Sequence, residues 1–129
     1  AADIAAVILD RPAGEAAGVL PLASEPDEAL ARTPVSLAGY PGEVAGGAMW
    51  EADGVVRVVS EAYLDLPNDA SRAMSGSPLL RRREDGATEV VGVLMAALPY
   101  AGLNRALRIT PALAERLAAW AEAPAGEGR

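Results

Sequence analysis

The chain alternates short apolar runs with turn signals for most of its length and changes period only once, near its end. Pro34 to Tyr40 alternates small and apolar residues and stops at Pro41-Gly42, which predicts a strand and a turn. Asp53-Gly54, between Trp50 and Val55, is a hairpin dipeptide, and Val55 to Val59 is the most β-prone stretch. Tyr63 to Leu66 reads as another short strand. Leu79 to Arg82 and Thr88 to Met95 read as a hairpin joined at Glu84-Asp85-Gly86, and Leu103 to Ile109 as a last strand. Then the spacing becomes helical. Thr110 is an N-cap, Pro111 takes the first helical position, and Leu113, Leu117 and Trp120 fall at i, i+4 and i+7. The helix is expected over 110–122, stopped before Pro124, with 123–129 as a disordered tail.

The N-terminal third reads differently. Ile4 to Leu9 is an apolar run closed by Asp10-Arg11-Pro12-Ala13-Gly14, a strand and turn, and the chain opens abruptly in that strand. Ala16 to Thr33 is rich in Ala, Pro and acids and reads as a connection, with a short strand near Val19-Leu20. Hence 1–32 is read as leading into one β-domain over 33–109, with the helix and tail behind it. There is no internal repeat.

Composition excludes several classes. The 129 residues allow one domain with a small core. Phe is absent, so that core must be built from Val, Leu, Ile and Ala. The net charge is −7, and Arg81-Arg82-Arg83 runs straight into Glu84-Asp85, a charged hairpin tip rather than a nucleic-acid footprint. No apolar run approaches a membrane span, and no signal peptide is visible in these residues. With neither Cys nor His there are no disulfides, and the scattered acids form no metal constellation. No cofactor is implied.

The chemistry concentrates between Asp69 and Pro78. This stretch leaves the turn-rich Leu66-Pro67-Asn68 and enters the apolar Leu79-Leu80. A serine between a turn and a strand, followed by Gly and then Pro, has its hydroxyl at a corner. Nucleophilic catalysis needs that placement, because the attacking oxygen must project while backbone N–H groups point at the developing oxyanion. The same residues also suit a plain polar turn.

Ala73-Met74-Ser75-Gly76-Ser77-Pro78 resembles the nucleophile motif Gly-x-Ser-Gly-x-Pro of the trypsin-like (chymotrypsin-clan) serine proteases, with Met in the variable slot as in many bacterial members. Val35 to Gly42 followed by Met49-Trp50-Glu51 resembles the corresponding stretch of bacterial glutamyl endopeptidases. Glu89 to Val93 resembles the strand that lines the substrate cleft, and Ala2-Asp3-Ile4-Ala5 the signature carrying the triad aspartate. These landmarks stand in the family's order along nearly the whole chain. The resemblance implies an all-β fold: the second, six-stranded barrel of the clan, remnant strands of the first barrel, and a C-terminal helix.

What the resemblance implies for the site follows residue by residue. Ser75 would be the nucleophile, with Ser77 the rival hydroxyl in the slot before Pro78. The backbone N–H groups of Ala73 and Ser75 would form the oxyanion hole, although the family has Gly where Ala73 stands. Asp3 would orient the general-base histidine; otherwise it is a surface acid. Asp69, six residues before Ser75, would pair a Lys or Arg of the substrate at the pocket floor, or is one half of an Asn68-Asp69 turn. Leu94 stands where glutamyl endopeptidases carry a His that recognises glutamate, so a preference for acidic residues is not expected. Met95 and Ala96 would line the pocket edge, and Arg105, near a pocket-wall position, could reach Asp69 and fill the pocket itself.

The absent histidine decides how this is read. In the clan the base precedes the aspartate, and Asp3 leaves no room for it, so the chain reads as the C-terminal portion of a longer protease, inactive alone. Its partners would be a polypeptide substrate and the segment that supplies the His. A second reading is an inactive trypsin-like domain serving as a peptide-binding or interaction module. An unrelated hydrolase with a Gly-x-Ser-x-Gly elbow is disfavoured, because Ala73 and Ser77 occupy the outer positions of that pattern.

Overall fold

A computed structural model describes residues 3–43, 46–67 and 74–122. Its centre is one antiparallel sheet of seven strands in the order β2-β1-β5-β6-β7-β4-β3. In chain order these are β1 (Pro34–Gly39), β2 (Trp50–Val55), β3 (Val58–Val59), β4 (Tyr63–Leu66), β5 (Pro78–Arg82), β6 (Thr88–Leu98) and β7 (Leu103–Arg108). The sheet curls into a half-barrel, and α3 (Pro111–Glu122) follows it. Inward-facing positions supply the core: Val35, Leu37, Leu64, Leu66, Leu79, Val91 and Leu94 are all buried in one cluster. A smaller cluster on the other face joins Leu107 and Ile109 to Leu113 of α3. Aliphatic and methionine side chains fill both, with Tyr63 packed against the second.

Strands β1, β4, β5, β6 and β7 and helix α3 form where the spacing places them. Thr110 caps the helix, its Oγ1 accepting from the Leu113 N–H at 3.2 Å. Asp53-Gly54, expected as a hairpin tip, instead lies inside β2, paired across from Val35 and Ser36 of β1. A complete neighbouring strand overrides the dipeptide's turn preference. The β-prone run from Val55 to Val59 is likewise split. Val56 is fully buried and exchanges backbone hydrogen bonds with Arg32 and Thr33, so β3 begins afresh at the opposite sheet edge. That split makes seven strands rather than six.

The expected first-barrel strand over Ile4–Leu9 does not form. Among the described residues no strand lies beside them to satisfy their backbone, and Val7, Ile8 and Leu9 are exposed. Ile4 packs against the Leu107 cluster. Val19-Leu20 is not a strand either; an isolated parallel bridge joins Leu22 to Val90 instead. The connection carries two short helices, α1 (Gly14–Ala17) and α2 (Asp27–Leu30), the latter sealing the barrel with Leu30. Two arginines hold it to the sheet. Arg81 bridges Glu25 and Glu89 and donates to the Ala29 carbonyl, while Arg108 donates to the Glu25 carbonyl at 2.7 Å and pairs with Asp27.

Candidate active site

Ser75 sits at the second position of a tight turn. The Ser77 N–H donates to the Met74 carbonyl at 3.0 Å, closing Met74-Ser75-Gly76-Ser77 into a four-residue loop. Gly76 has φ +91°, the left-handed region that the third position of such a turn demands, and its missing side chain makes that conformation free of clash. The buried Met74 anchors one side of the turn in the core. On the other side the Gly76 N–H donates to the Leu94 carbonyl at 2.8 Å, and the Leu94 N–H donates to the Ser77 carbonyl at 2.9 Å. The turn is therefore fixed to β6 by its backbone, while the Ser75 hydroxyl stays exposed and donates to the Met95 carbonyl at 3.3 Å. Ser77, the rival hydroxyl, is buried against Gly39.

The remaining residues expected at the site fall in several places. Asp69 and Ala73 lie outside the described residues. Asp3 is exposed, and no hydrogen bond among the described residues joins it to Ser75; its neighbour Ile4 packs into the cluster that also takes Val93 and Met95. Leu94 faces the barrel core, 5% exposed, rather than an open pocket. Met95 is partly buried on the opposite face, at an irregularity in the β6–β7 register, and half-buried Ala96 pairs with Arg105.

Arg105 does not need Asp69 as a partner, because Asp65 holds it. Its Nε and Nη2 donate to the two Asp65 oxygens, both at 2.8 Å, and its guanidinium lies 4.8 Å over the Tyr63 ring. The hydrogen bond to Asp65 holds the Arg105 pKa above arginine's ordinary value, against a smaller opposing effect of desolvation. Asp65 is a site neighbour that sequence reasoning missed. Its only signal is an acid flanked by leucines in a strand, and the partner across β7 emerges only with the register Asp65↔Arg105. Gly39 was missed in the same way, since its contact with Ser77 is made across strands. Among the described residues no group of acidic side chains could hold a metal ion.

The antiparallel half-barrel with a C-terminal helix matches the trypsin-like barrel fold. The chain is 30% identical over 125 residues to glutamyl endopeptidase of Bacillus licheniformis, an alignment covering 92% of this chain. It spans only 39% of that relative's length. A solved structure of Glu endopeptidase in complex with MPD superposes with a TM-score of 0.76 at 23% identity, covering 88% of this chain and 52% of that one. No protein-family model matches. By sequence and fold, the chain is a relative of the trypsin-like serine proteases.

Proposed function

We propose that this chain carries the nucleophile of a serine endopeptidase. The observation that supports this reading is the Ser75 corner, an exposed hydroxyl on a turn fixed to β6 by two backbone hydrogen bonds. In the reaction the Ser75 oxygen attacks a peptide carbonyl carbon and its proton passes to a general base. The tetrahedral oxyanion is met by the N–H groups of Ala73 and Ser75. The C–N bond then breaks, the departing amine takes the proton back from the base, and water hydrolyses the acyl-enzyme by the same route.

The base has to come from elsewhere, because the chain holds no histidine. A His-bearing segment outside these residues would supply it, with Asp3 orienting the imidazole, and this chain alone would be inactive. Past Leu94, whose backbone is bonded to Gly76 and Ser77, no strand among the described residues but β7 pairs with β6, so its other edge between Met95 and Leu98 is open to an extended polypeptide. The acyl half of the substrate would add there, with Met95 and Ala96 beside it. The relative's name attaches to glutamyl substrates, but here Leu94 is turned into the core and offers no charge. A Lys or Arg side chain met by Asp69 fits these residues better. The missing histidine supports a second reading, a polypeptide-binding domain without turnover.

Labelling with a fluorophosphonate serine probe tests the proposal. It is applied to this chain and to the longest natural form that contains it, each beside its Ser75→Ala variant. Labelling of the longer form alone, lost in the variant, is the expected result. A longer form that stays unlabelled overturns it in favour of the binding domain.

A further inference from the structure

Ile4 is the one side chain between Asp3 and Leu22 that is not exposed; Gly14, also part-buried, has none. It packs against the cluster of Leu107, Ile109 and Leu113. The residues that follow it are not held in this way. Among the described residues, no backbone hydrogen bond joins 5–20 to a strand, and none of those side chains belongs to either core cluster. The next attachment is Pro21, whose carbonyl accepts from the Val90 N–H at 2.9 Å. Ile4 is therefore a single apolar anchor at the far end of a loop.

The place of the anchor matters because the same cluster takes Val93 and Met95 of β6. Met95 is also the residue whose carbonyl accepts from the Ser75 hydroxyl, at 3.3 Å. Ile4 and the strand that borders the nucleophile thus share one patch of core, and Asp3 directly precedes Ile4. A carboxylate on an unanchored segment would have to be ordered at every turnover. One residue from a fixed side chain, much of that ordering is already done in folding. We infer that Ile4 is a positioning residue: docked on the face that carries Val93 and Met95, it holds Asp3 beside the nucleophile, where Asp3 can orient the base. This rests on the endopeptidase reading and adds to it the contact that brings the two ends of the catalytic apparatus together. Ile4 touches no reacting atom, and its effect on the reaction passes through Asp3.

The test uses the longest natural form that contains this chain, with Ile4→Ala, Ile4→Val, Asp3→Ala and the double variant of Ile4→Ala with Asp3→Ala. The substrate is the peptide that the parent cleaves fastest in a set differing only in the residue before the scissile bond. Ile4→Ala is expected to lower kcat about tenfold or more and to leave KM within about twofold, because placement is lost while the open edge of β6 is untouched. Ile4→Val should keep most of the rate. Asp3→Ala should cost more. Adding Ile4→Ala to it should change kcat by less than about twofold, since the anchor then has nothing left to place. An Ile4→Ala rate equal to the parent's, or a double variant slowed by the product of the two single effects, overturns the anchor. So does a urea midpoint for Ile4→Ala that falls far enough to account for the lost rate as unfolded protein. An Asp3→Ala form as fast as the parent overturns it too, and leaves Ser75 standing as the nucleophile. A parent that cleaves no peptide of the set and takes no fluorophosphonate label at Ser75 overturns the endopeptidase reading and the anchor together.

Discussion

Gly39 and Ser77 pack so closely that a single added methyl group on Gly39 would collide with the Ser77 hydroxyl. The Ser77 carbonyl accepts the hydrogen bond from Leu94 that fixes the nucleophile turn to β6. Any shift of Ser77 is therefore passed to Ser75. Gly39→Ala should destabilise the domain by about 1–3 kcal/mol, as overpacking a tight contact does. It should also slow fluorophosphonate labelling of Ser75 in the His-bearing form. Urea denaturation and labelling rate measure the two effects, and unchanged values in both would show that the turn absorbs the methyl group.

Asp65 and Arg105 give an asymmetric prediction. Asp65 is 6% exposed and receives both of its charged hydrogen bonds from Arg105, whose own side chain is 34% exposed. Arg105→Ala strands a buried carboxylate and should lower stability, by less than breaking a fully buried pair because water reaches the arginine side. Asp65→Ala frees a guanidinium that can turn to solvent, and should cost less. A double-mutant cycle read by urea denaturation checks the order. The sign with pH is fixed by the arginine: its folded-state pKa is raised, so its contribution is fully present below arginine's ordinary pKa. It should stay flat through the neutral range.

Much of this fold is legible in the sequence because local signals and tertiary context agree. Leu79 to Arg82, Glu84-Asp85-Gly86 and Thr88 onward form a hairpin whose two strands pair in antiparallel register across the turn. The helix begins where Thr110-Pro111 marks it. The failures share one cause. Asp53-Gly54 is a turn dipeptide by preference, yet β1 supplies it with a partner strand, and pairing outweighs preference. Ile4 to Leu9 has the apolar run of a strand but no partner strand among the described residues, and it is irregular. Within the site, the corner of Ser75 could be read from Gly76 and Pro78, both local constraints. The Gly39–Ser77 packing and the Asp65–Arg105 pair could not, because each depends on strand register.

The cap on α3 offers a smaller and more local test. Thr110 Oγ1 accepts from the Leu113 N–H, and its carbonyl accepts from Ala114 at 2.9 Å. Leu113 and Leu117 press on Leu107 and Ile109, so fraying the first turn loosens the face of the sheet opposite the barrel core. Thr110→Ala should cost about 1 kcal/mol, and Thr110→Ser much less. Thermal denaturation followed by circular dichroism distinguishes the two, and equal melting points for both variants would place the effect in the Thr110 methyl group instead.

Leu94 allows the acidic preference of the relative to be tested against this chain's own packing. The resemblance puts Leu94 where glutamyl endopeptidases carry a histidine, and the structure turns the leucine into the cluster with Leu79 and Val91. Leu94→His would put an imidazole among aliphatic side chains. Losing those contacts and desolvating a polar ring should together cost about 2–4 kcal/mol. Burial disfavours the imidazolium, so the folded-state pKa of the new side chain would lie below its unfolded value. The unfolded state then binds more protons through the histidine range, and the variant's stability should fall as pH drops through it while the parent's changes less. Urea midpoints across that range give the slope. A variant as stable as the parent, and newly able to cleave after glutamate in the His-bearing form, would show that position 94 opens toward the substrate.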